Sequence, residues 1–301
     1  MKSCQTGQVG EGFYVLGSPW NPVFLLDGER PVILEGGFAC MAPLYLEHLA
    51  EVLGDKEPSF GLITHVHFDH CGSLGYFSRR FPQMRVACSA LGQAILQRPN
   101  AVKLIDHLSA DAENTVRGRW AEVPPGNGFL TFEVHLPLND GDQIDGPTPI
   151  TALASPGHTR DHMAFWLPER GMLFAGEALG VMDDTGYVVA DLLQSAQNYL
   201  DSFEKLAALQ PEVLAVGHRF VVTGRDVAAY LARSRDDAHA FIEKCGQAFE
   251  GLNHDMAAVV KRVRSWEYDP RPHPKQPEAA YMINLEARVK ASLTYLGKLE
   301  N

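Results

Sequence analysis

The sequence predicts an α/β fold in which helices pack on sheets, followed by a region built of helices alone. Three observations predict it. Short apolar and β-branched runs ended by Gly or Asp-Gly recur between residues 12 and 218. Helical apolar spacing fills several of the gaps between them. After Gly224 the strand signal stops and helical spacing continues alone.

The elements follow in order. GFYVLG (12–17), PVFLLDG (22–28) and PVILEGG (31–37) read as strands. Ala39 to Leu53 reads as a helix, with Met41, Leu44, Leu46, Leu49 and Leu53 apolar. FGLITHV (60–66) has the composition of a buried strand, Gly72 to Phe81 of a helix, and RVACS (85–89) of a further strand. Residues 91–119 have helical spacing with many charges, as on a surface. The Pro-, Gly-, Asn- and Asp-rich stretch 121–147 is expected to be mostly loop. TPITALASPG (148–157), HMAFWLP (162–168) and GMLFAG (171–176) return to strands; 195–210 suits a helix and VLAVGH (213–218) a strand. Val227, Tyr230, Leu231, Ser234, Ala238, Phe241, Ile242, Cys245 and Phe249 then follow helical spacing. Met256 to Trp266 forms a second helix. DPRPHPKQP (269–277) breaks the chain before a third, with Met282, Leu285, Val289, Leu293 and Leu296 on one face. Strand blocks with intervening helices form layers around a core, and two domains are expected, 1–225 and a helical cap, 226–301.

Composition narrows the function. The 46% apolar and 21% charged content is that of a soluble globular chain and leaves no room for extensive disorder. Residues 226–301 carry eleven basic and eleven acidic side chains, so the whole net charge of −11 lies in 1–225. An acidic body argues against nucleic acid as a partner. No stretch has the length of a membrane helix. No apolar run of signal-peptide length follows a basic start, so a cytoplasmic location is expected. Cys4, Cys40, Cys71, Cys88 and Cys245 form no C-x-x-C pair and no disulfide framework.

The strongest chemical signal is THVHFDHCG at 64–72, which places His65, His67, Asp69 and His70 within six residues, after an apolar strand and before a helix. In extended backbone, residues two apart point to one side, so His65 and His67 can reach one metal ion. Asp69 and His70 stand where the chain turns into the helix and can reach a second. Imidazole nitrogens with a few carboxylate oxygens suit zinc, and iron or manganese nearly as well. One such block cannot fill two coordination shells, and partners recur: His158 after ASPG, Glu177 after GMLFAG and His218 after VLAVG. Each stands at the C-terminal end of an apolar run, where α/β sheets carry their functional groups. Cys71 is expected to pack rather than react. His48, His107, His135, His239, His254 and His273 have no ligand-like neighbours and read as ordinary. Asp161, Asp183 and Asp184 read as loop residues.

H-x-H-x-D-H, then Gly-His, then Gly-acid, then Gly-His resembles the metallo-β-lactamase superfamily over roughly residues 10–225. EGG at 35–37 is similar to its acid-Gly turn before the first helix. The resemblance implies an αβ/βα four-layer sandwich with two divalent metal ions at one edge. It implies that His65, His67 and His158 hold one metal, that Asp69, His70 and His218 hold the other, and that Glu177 bridges them. Most members use Asp for the bridge, and Glu reaches one bond, about 1.5 Å, further. His162 takes an orienting or structural role in this pattern. THVHFDHCG, PGHTRDH, LFAGEALG and the helical tail are most similar to the quinolone-signal-response branch, acyl-CoA-type thioesterases. The implied activity is hydrolysis of a small-molecule thioester or ester by a hydroxide held between the metals, with Asp69 also moving its proton. A phosphodiesterase on the same metal core, or a regulatory protein with a vestigial metal site, is the alternative. Lys261, Arg262 and Arg264 offer local positive charge to a phosphate-bearing carrier.

Overall fold

The computed structural model of the protein describes residues 2–3, 5–18, 20–119, 128–272 and 275–300. Cys4, His273 and residues 121–127 of the expected loop lie outside them. In chain order the first elements are β1 (Lys2–Ser3), β2 (Gly7–Gly10), β3 (Phe13–Ser18), β4 (Asn21–Leu26), β5 (Val32–Leu34), α1 (Ala42–Leu53), β6 (Phe60–Leu62), α2 (Phe68–Cys71), α3 (Leu74–Arg80), β7 (Arg85–Ser89), α4 (Ala90–Leu96) and α5 (Pro99–Arg119). There follow β8 (Leu136–Leu138), β9 (Gln143–Asp145), β10 (Pro149–Ala154), β11 (Met163–Leu167), β12 (Met172–Gly176), β13 (Val181–Met182), β14 (Val188–Val189), α6 (Ala196–Ala207), β15 (Val213–Val216), β16 (Val221–Thr223), α7 (Arg225–Gly251), α8 (Met256–Glu267) and α9 (Glu278–Tyr295).

The chain divides into two compact units. The first comprises Met1–Ala154, Asp161–Gly176 and Pro211–Gly224; the second comprises Ser155–Arg160, Glu177–Gln210 and Arg225–Asn301. The first holds two seven-stranded sheets, ordered β2-β3-β4-β5-β6-β7-β8 and β1-β16-β15-β12-β11-β10-β9. Strand alternation divides its apolar residues between two cores. Phe24 and Leu26 of β4, with Val32 and Leu34 of β5, join Ile150, Phe165 and Phe174 between the sheets. Val23, Leu25 and Ile33 face the opposite way, onto Tyr45 and Leu49 of α1, Phe77 of α3 and Ile105 of α5. Both faces of these strands are therefore buried, which is why they read as continuous apolar runs. Strands β5, β6 and β7 run parallel, as do β12 and β15. Their C-terminal ends deliver Glu35, the 64–70 segment, Gly176 and His218.

The second unit contains α6 to α9 and the β13–β14 hairpin. Phe241, Cys245, Val259, Val263, Leu285, Val289 and Leu293 form its core. Glu267 and Arg288 are buried in it as a pair, with Nη2 to Oε1 at 2.7 Å. Among the described residues, no helix is long and apolar enough to cross a membrane.

Several elements differ from the sequence expectation, the β13–β14 hairpin among them. The 121–147 stretch contains β8 and β9. FGLITHV is a strand only as far as Leu62, so His65 and His67 lie on a loop. The next helix begins at Phe68, which puts Asp69 and His70 inside a single turn, α2. The 91–119 stretch breaks into α4 and α5 before Pro99, as the residue preceding proline disfavours the helical region.

Candidate metal centre

After β6 the chain bends at Thr64 and His65 and reaches His67, which has extended backbone (ψ 152°) and is the N-cap of α2. This arrangement brings the His65 ring to 4.4 Å from that of His67 and 4.3 Å from that of His70, centroid to centroid. Ligand atoms of Asp69, His70 and His218 all lie within 4.8 Å of one another. Asp69 Oδ2 is 3.6 Å from His218 Nε2 and 3.9 Å from His70 Nε2.

The other ring nitrogens are anchored. His218 Nδ1 lies 2.8 Å from the Trp20 carbonyl. A carbonyl can only accept, so Nδ1 carries the proton and Nε2 the lone pair. The Trp20 ring is braced in turn by the Arg219 guanidinium, 4.0 Å from its centroid. Thr64 Oγ1 donates to Glu35 Oε1 at 2.7 Å and lies 3.0 Å from His65 Nδ1. With its single proton committed to Glu35, Thr64 accepts from His65 Nδ1–H. The other Glu35 oxygen faces His70 Nδ1 at 3.2 Å. One buried carboxylate thus orients the His65 imidazole through a hydroxyl, making Nε2 its lone-pair nitrogen, and stands as a counter-charge beside His70.

The loop itself is pinned by distant residues. Asn21 Nδ2 donates to the Asp69 carbonyl at 2.8 Å, and Asn21 Oδ1 accepts from Phe38 N at 2.7 Å. Asp161 Oδ2 accepts from Val66 N at 3.0 Å. Gly72 follows where the backbone is crowded: a Cβ there would stand 2.5 Å from Ala39 N and 2.6 Å from the Gly37 carbonyl. His162 stacks on His65 at 5.1 Å. Gly176 meets His162 closely, since a Cβ on it would lie 2.4 Å from His162 Nε2 and 3.1 Å from Thr64 Cβ.

Within the second unit, His158 Nδ1 donates to the Asp191 carbonyl at 2.9 Å, the same anchoring as in His218. Gly157 beside it has a φ of 137°, and a Cβ would come within 2.3 Å of Tyr199 Cα. Glu177 is buried, and its carbonyl accepts from Gly180 N at 2.9 Å.

Among the histidines read as ordinary, His48 Nδ1 accepts from Gly17 N and His135 Nδ1 from Val86 N. His107 and His254 stand exposed beside Asp111 and Glu250. Cys71 is fully buried, and that burial, with the nearby Asp69 charge, pushes its thiol well above the ordinary value, so it stays neutral. Cys88 is pushed up to about 12, mainly by burial. Sequence reasoning missed Asn21, Thr64 and Trp20, and took Asp161 for a plain loop residue. The sole signal for Glu35 was the EGG turn.

Comparison with known proteins agrees with this geometry. The metallo-beta-lactamase superfamily model matches residues 21–218. The chain is 30% identical to the human acyl-coenzyme A thioesterase MBLAC2 over 186 residues, 57% of this chain and 62% of that one. It is 27% identical to the atrochrysone carboxyl ACP thioesterase of Aspergillus fumigatus, over 71% of this chain and 52% of that one. The chain thus spans less than two thirds of the length of either thioesterase. A metallo-beta-lactamase family protein from Thermus thermophilus shares the fold, with a TM-score of 0.65 at 21% identity, over 95% of this chain and 93% of that one. With two stacked sheets and clustered histidines at strand ends, the chain belongs to the metallo-beta-lactamase superfamily of metal-dependent hydrolases.

Proposed function

We propose that the chain hydrolyses small-molecule thioesters or activated esters at two divalent cations. His65, His67 and His158 would hold one and Asp69, His70 and His218 the other, with Glu177 supplying a further carboxylate. The observation that carries this reading is the tautomer pattern. His65 and His218, and His158 in the second unit, each have Nδ1 committed to an oxygen acceptor, so each offers an Nε2 lone pair. Imidazole Nε2 with one or two carboxylates is a donor set that fits zinc, iron or manganese. Chain connectivity supports the two ligands of the second unit. Glu177 is bonded to Gly176, which abuts His162 and Thr64. His158 precedes His162, the ring stacked on His65, by four residues.

Bound there, divalent cations lower the pKa of a water toward neutrality and polarise an acyl carbonyl. The chain's own part is orientation and proton transfer. Asn21 fixes the Asp69 peptide, so the carboxylate keeps its place beside His218 Nε2 and holds the proton released by the attacking water. Cys71, beside the proposed ligands, is packed in the core and is not the nucleophile in this reading. The names of the human and fungal relatives support a thioester as the bond cleaved. Of the three tail cations, Arg264 is committed to Asp269 and Glu278, at 3.0 and 2.7 Å, while Lys261 and Arg262 are exposed and available to a carrier phosphate.

Metal analysis of metal-replete protein should give close to two ions per chain. Acyl-CoA compounds and aryl thioesters should be cleaved in preference to bis-aryl phosphodiesters. A specificity constant 100-fold higher for the phosphodiester, a gap of about 2.7 kcal/mol in transition-state binding, would make the protein a phosphodiesterase. Full metal occupancy with no turnover of either class would favour the regulatory reading.

A further inference from the structure

The segment from Glu177 to Asp191 begins at one proposed ligand and ends at the carbonyl that holds another. Within the second unit it is bonded repeatedly to the C-terminal helices. Ser234 Oγ and Tyr230 OH of α7 donate to the Leu179 and Gly180 carbonyls, each at 2.7 Å. Asp237 Oδ2 accepts from Val188 N at 2.9 Å. Arg288 Nε of α9 donates to the Ala190 carbonyl at 2.8 Å. The next carbonyl, that of Asp191, accepts from His158 Nδ1 at 2.9 Å.

Arg288 is itself fully constrained. Its Nη1 and Nη2 donate to the two Glu267 oxygens at 2.9 and 2.7 Å, and its guanidinium lies 4.0 Å from the Phe241 ring centroid. Tyr281 OH and Tyr187 OH complete the Glu267 shell at 2.7 and 2.8 Å. Both charges are almost entirely buried, at 1% and 2% exposure of their side chains. Well-packed apolar side chains of similar volume commonly stabilise a fold as well as such a pair. What they lack is direction. A planar guanidinium with two N–H groups fixed on a carboxylate aims its third, Nε–H, along one line, and here that line ends on Ala190 O.

We infer that the Glu267–Arg288 pair is a positioning device for the proposed metal centre, holding the Ala190–Asp191 peptide and thereby the orientation of the His158 imidazole. The inference rests on the ligand role proposed for His158. Arg288 touches neither substrate nor metal in this scheme; it acts through Asp191.

The test uses three variants of the full chain: Glu267→Met/Arg288→Met, which removes both charges together, Arg288→Lys, and His158→Gln. In metal-free protein labelled with 15N-histidine, the His158 Nδ1–H resonance is identified by its loss in His158→Gln. We expect it to be downfield and protected in the parent. In the double variant, shown to be folded by circular dichroism and a cooperative melt, its exchange with water should be at least ten-fold faster. Cobalt(II), titrated against a chelator, should bind about ten-fold more weakly, with an altered visible spectrum. Arg288→Lys keeps the charge but not the fork and should give smaller changes of the same sign; it carries the test should the double variant not fold. An unchanged His158 resonance and cobalt spectrum in a folded variant overturns the inference. If the resonance responds but His158→Gln leaves cobalt affinity intact, the link from Arg288 to His158 stands and the ligand reading of His158 falls.

Discussion

Glu35 occupies the left-handed region, with φ at 70°, a conformation that L side chains rarely adopt. Its carboxylate explains why a glutamate stands there: one oxygen accepts from Thr64 and the other faces His70. Glu35→Gln keeps the shape but turns one arm into a donor, which opposes either the Thr64 hydroxyl or His70 Nδ1–H. We expect metal affinity to fall about 10–100-fold with little change in melting temperature; a chelator competition that finds wild-type affinity would remove Glu35 from the orienting shell. His67→Ala should lose metal and turnover, whereas His107→Ala, at an exposed position, should lose neither. Gly72→Ala should cost about 2 kcal/mol by forcing backbone apart, read by denaturant unfolding; an unchanged midpoint would mean the Ala39 turn yields freely. The candidate ligands stood out because six residues hold four donors of two types, three His and one Asp. Asn21, Thr64 and Trp20 did not, because each acts through a partner that only the folded chain brings near. Asn21 and Asp69 are 48 residues apart, and Trp20 and His218 are 198.

Among the elements, the buried strands were readable as continuous apolar runs ended by turn residues, since β4 and β5 are apolar on both faces, and the three C-terminal helices from their period, since α7 to α9 each repeat an apolar stripe. The β13–β14 hairpin and β8 were missed. The hairpin strands are two residues long and β8 is three, too short for any period to register. The α9 element also carries a pH prediction. Burial alone would raise the Glu267 carboxyl, but the Arg288 charge and the hydrogen bonds from Arg288, Tyr281 and Tyr187 outweigh it and hold the group below its ordinary value. A depressed carboxyl contributes stability that is complete above its unfolded pKa, about 4.3, and is lost as pH falls through the lower folded value. Acid unfolding below about pH 4 should therefore be less steep in Glu267→Met/Arg288→Met than in the parent, and equal steepness would exclude this pair as its source. Arg288→Met alone, which strands Glu267, should cost about 3–5 kcal/mol.

At the scale of the molecule, the helices after Gly224 have a consequence for truncation. Residues 225–301 supply the side chains that hold Leu179, Gly180, Val188 and Ala190. A chain ending at Gly224 should expose the apolar faces of its remaining elements, aggregate, and bind metal weakly. A monomeric, metal-replete and active 1–224 fragment would show that the helices are dispensable. The fold class was legible as a whole because strand and helix periods alternate through the first two thirds of the chain and then cease to alternate. The membership of 155–160 and 177–210 in the second unit was not legible. Those segments pack on partners far along the chain, Ala190, Leu192 and Tyr199 against Ala238, Ile242 and Ala291, and are also held through backbone carbonyls, which leave no mark on composition.

That last asymmetry bears on which substitutions the protein tolerates. At Leu179, Gly180, Val188 and Ala190 the hairpin segment contributes main-chain carbonyls and one N–H, while Tyr230, Ser234, Asp237 and Arg288 contribute side chains. The anchored positions flank a stretch, 181–186, whose side chains are exposed or half-buried. Even there the Asp183 and Thr185 side chains are bonded to Arg271, so those two positions carry part of the attachment. On the helices each bond depends on one side chain. The mutational load of keeping Leu179, Gly180, Val188 and Ala190 in place therefore falls on residues far along the chain.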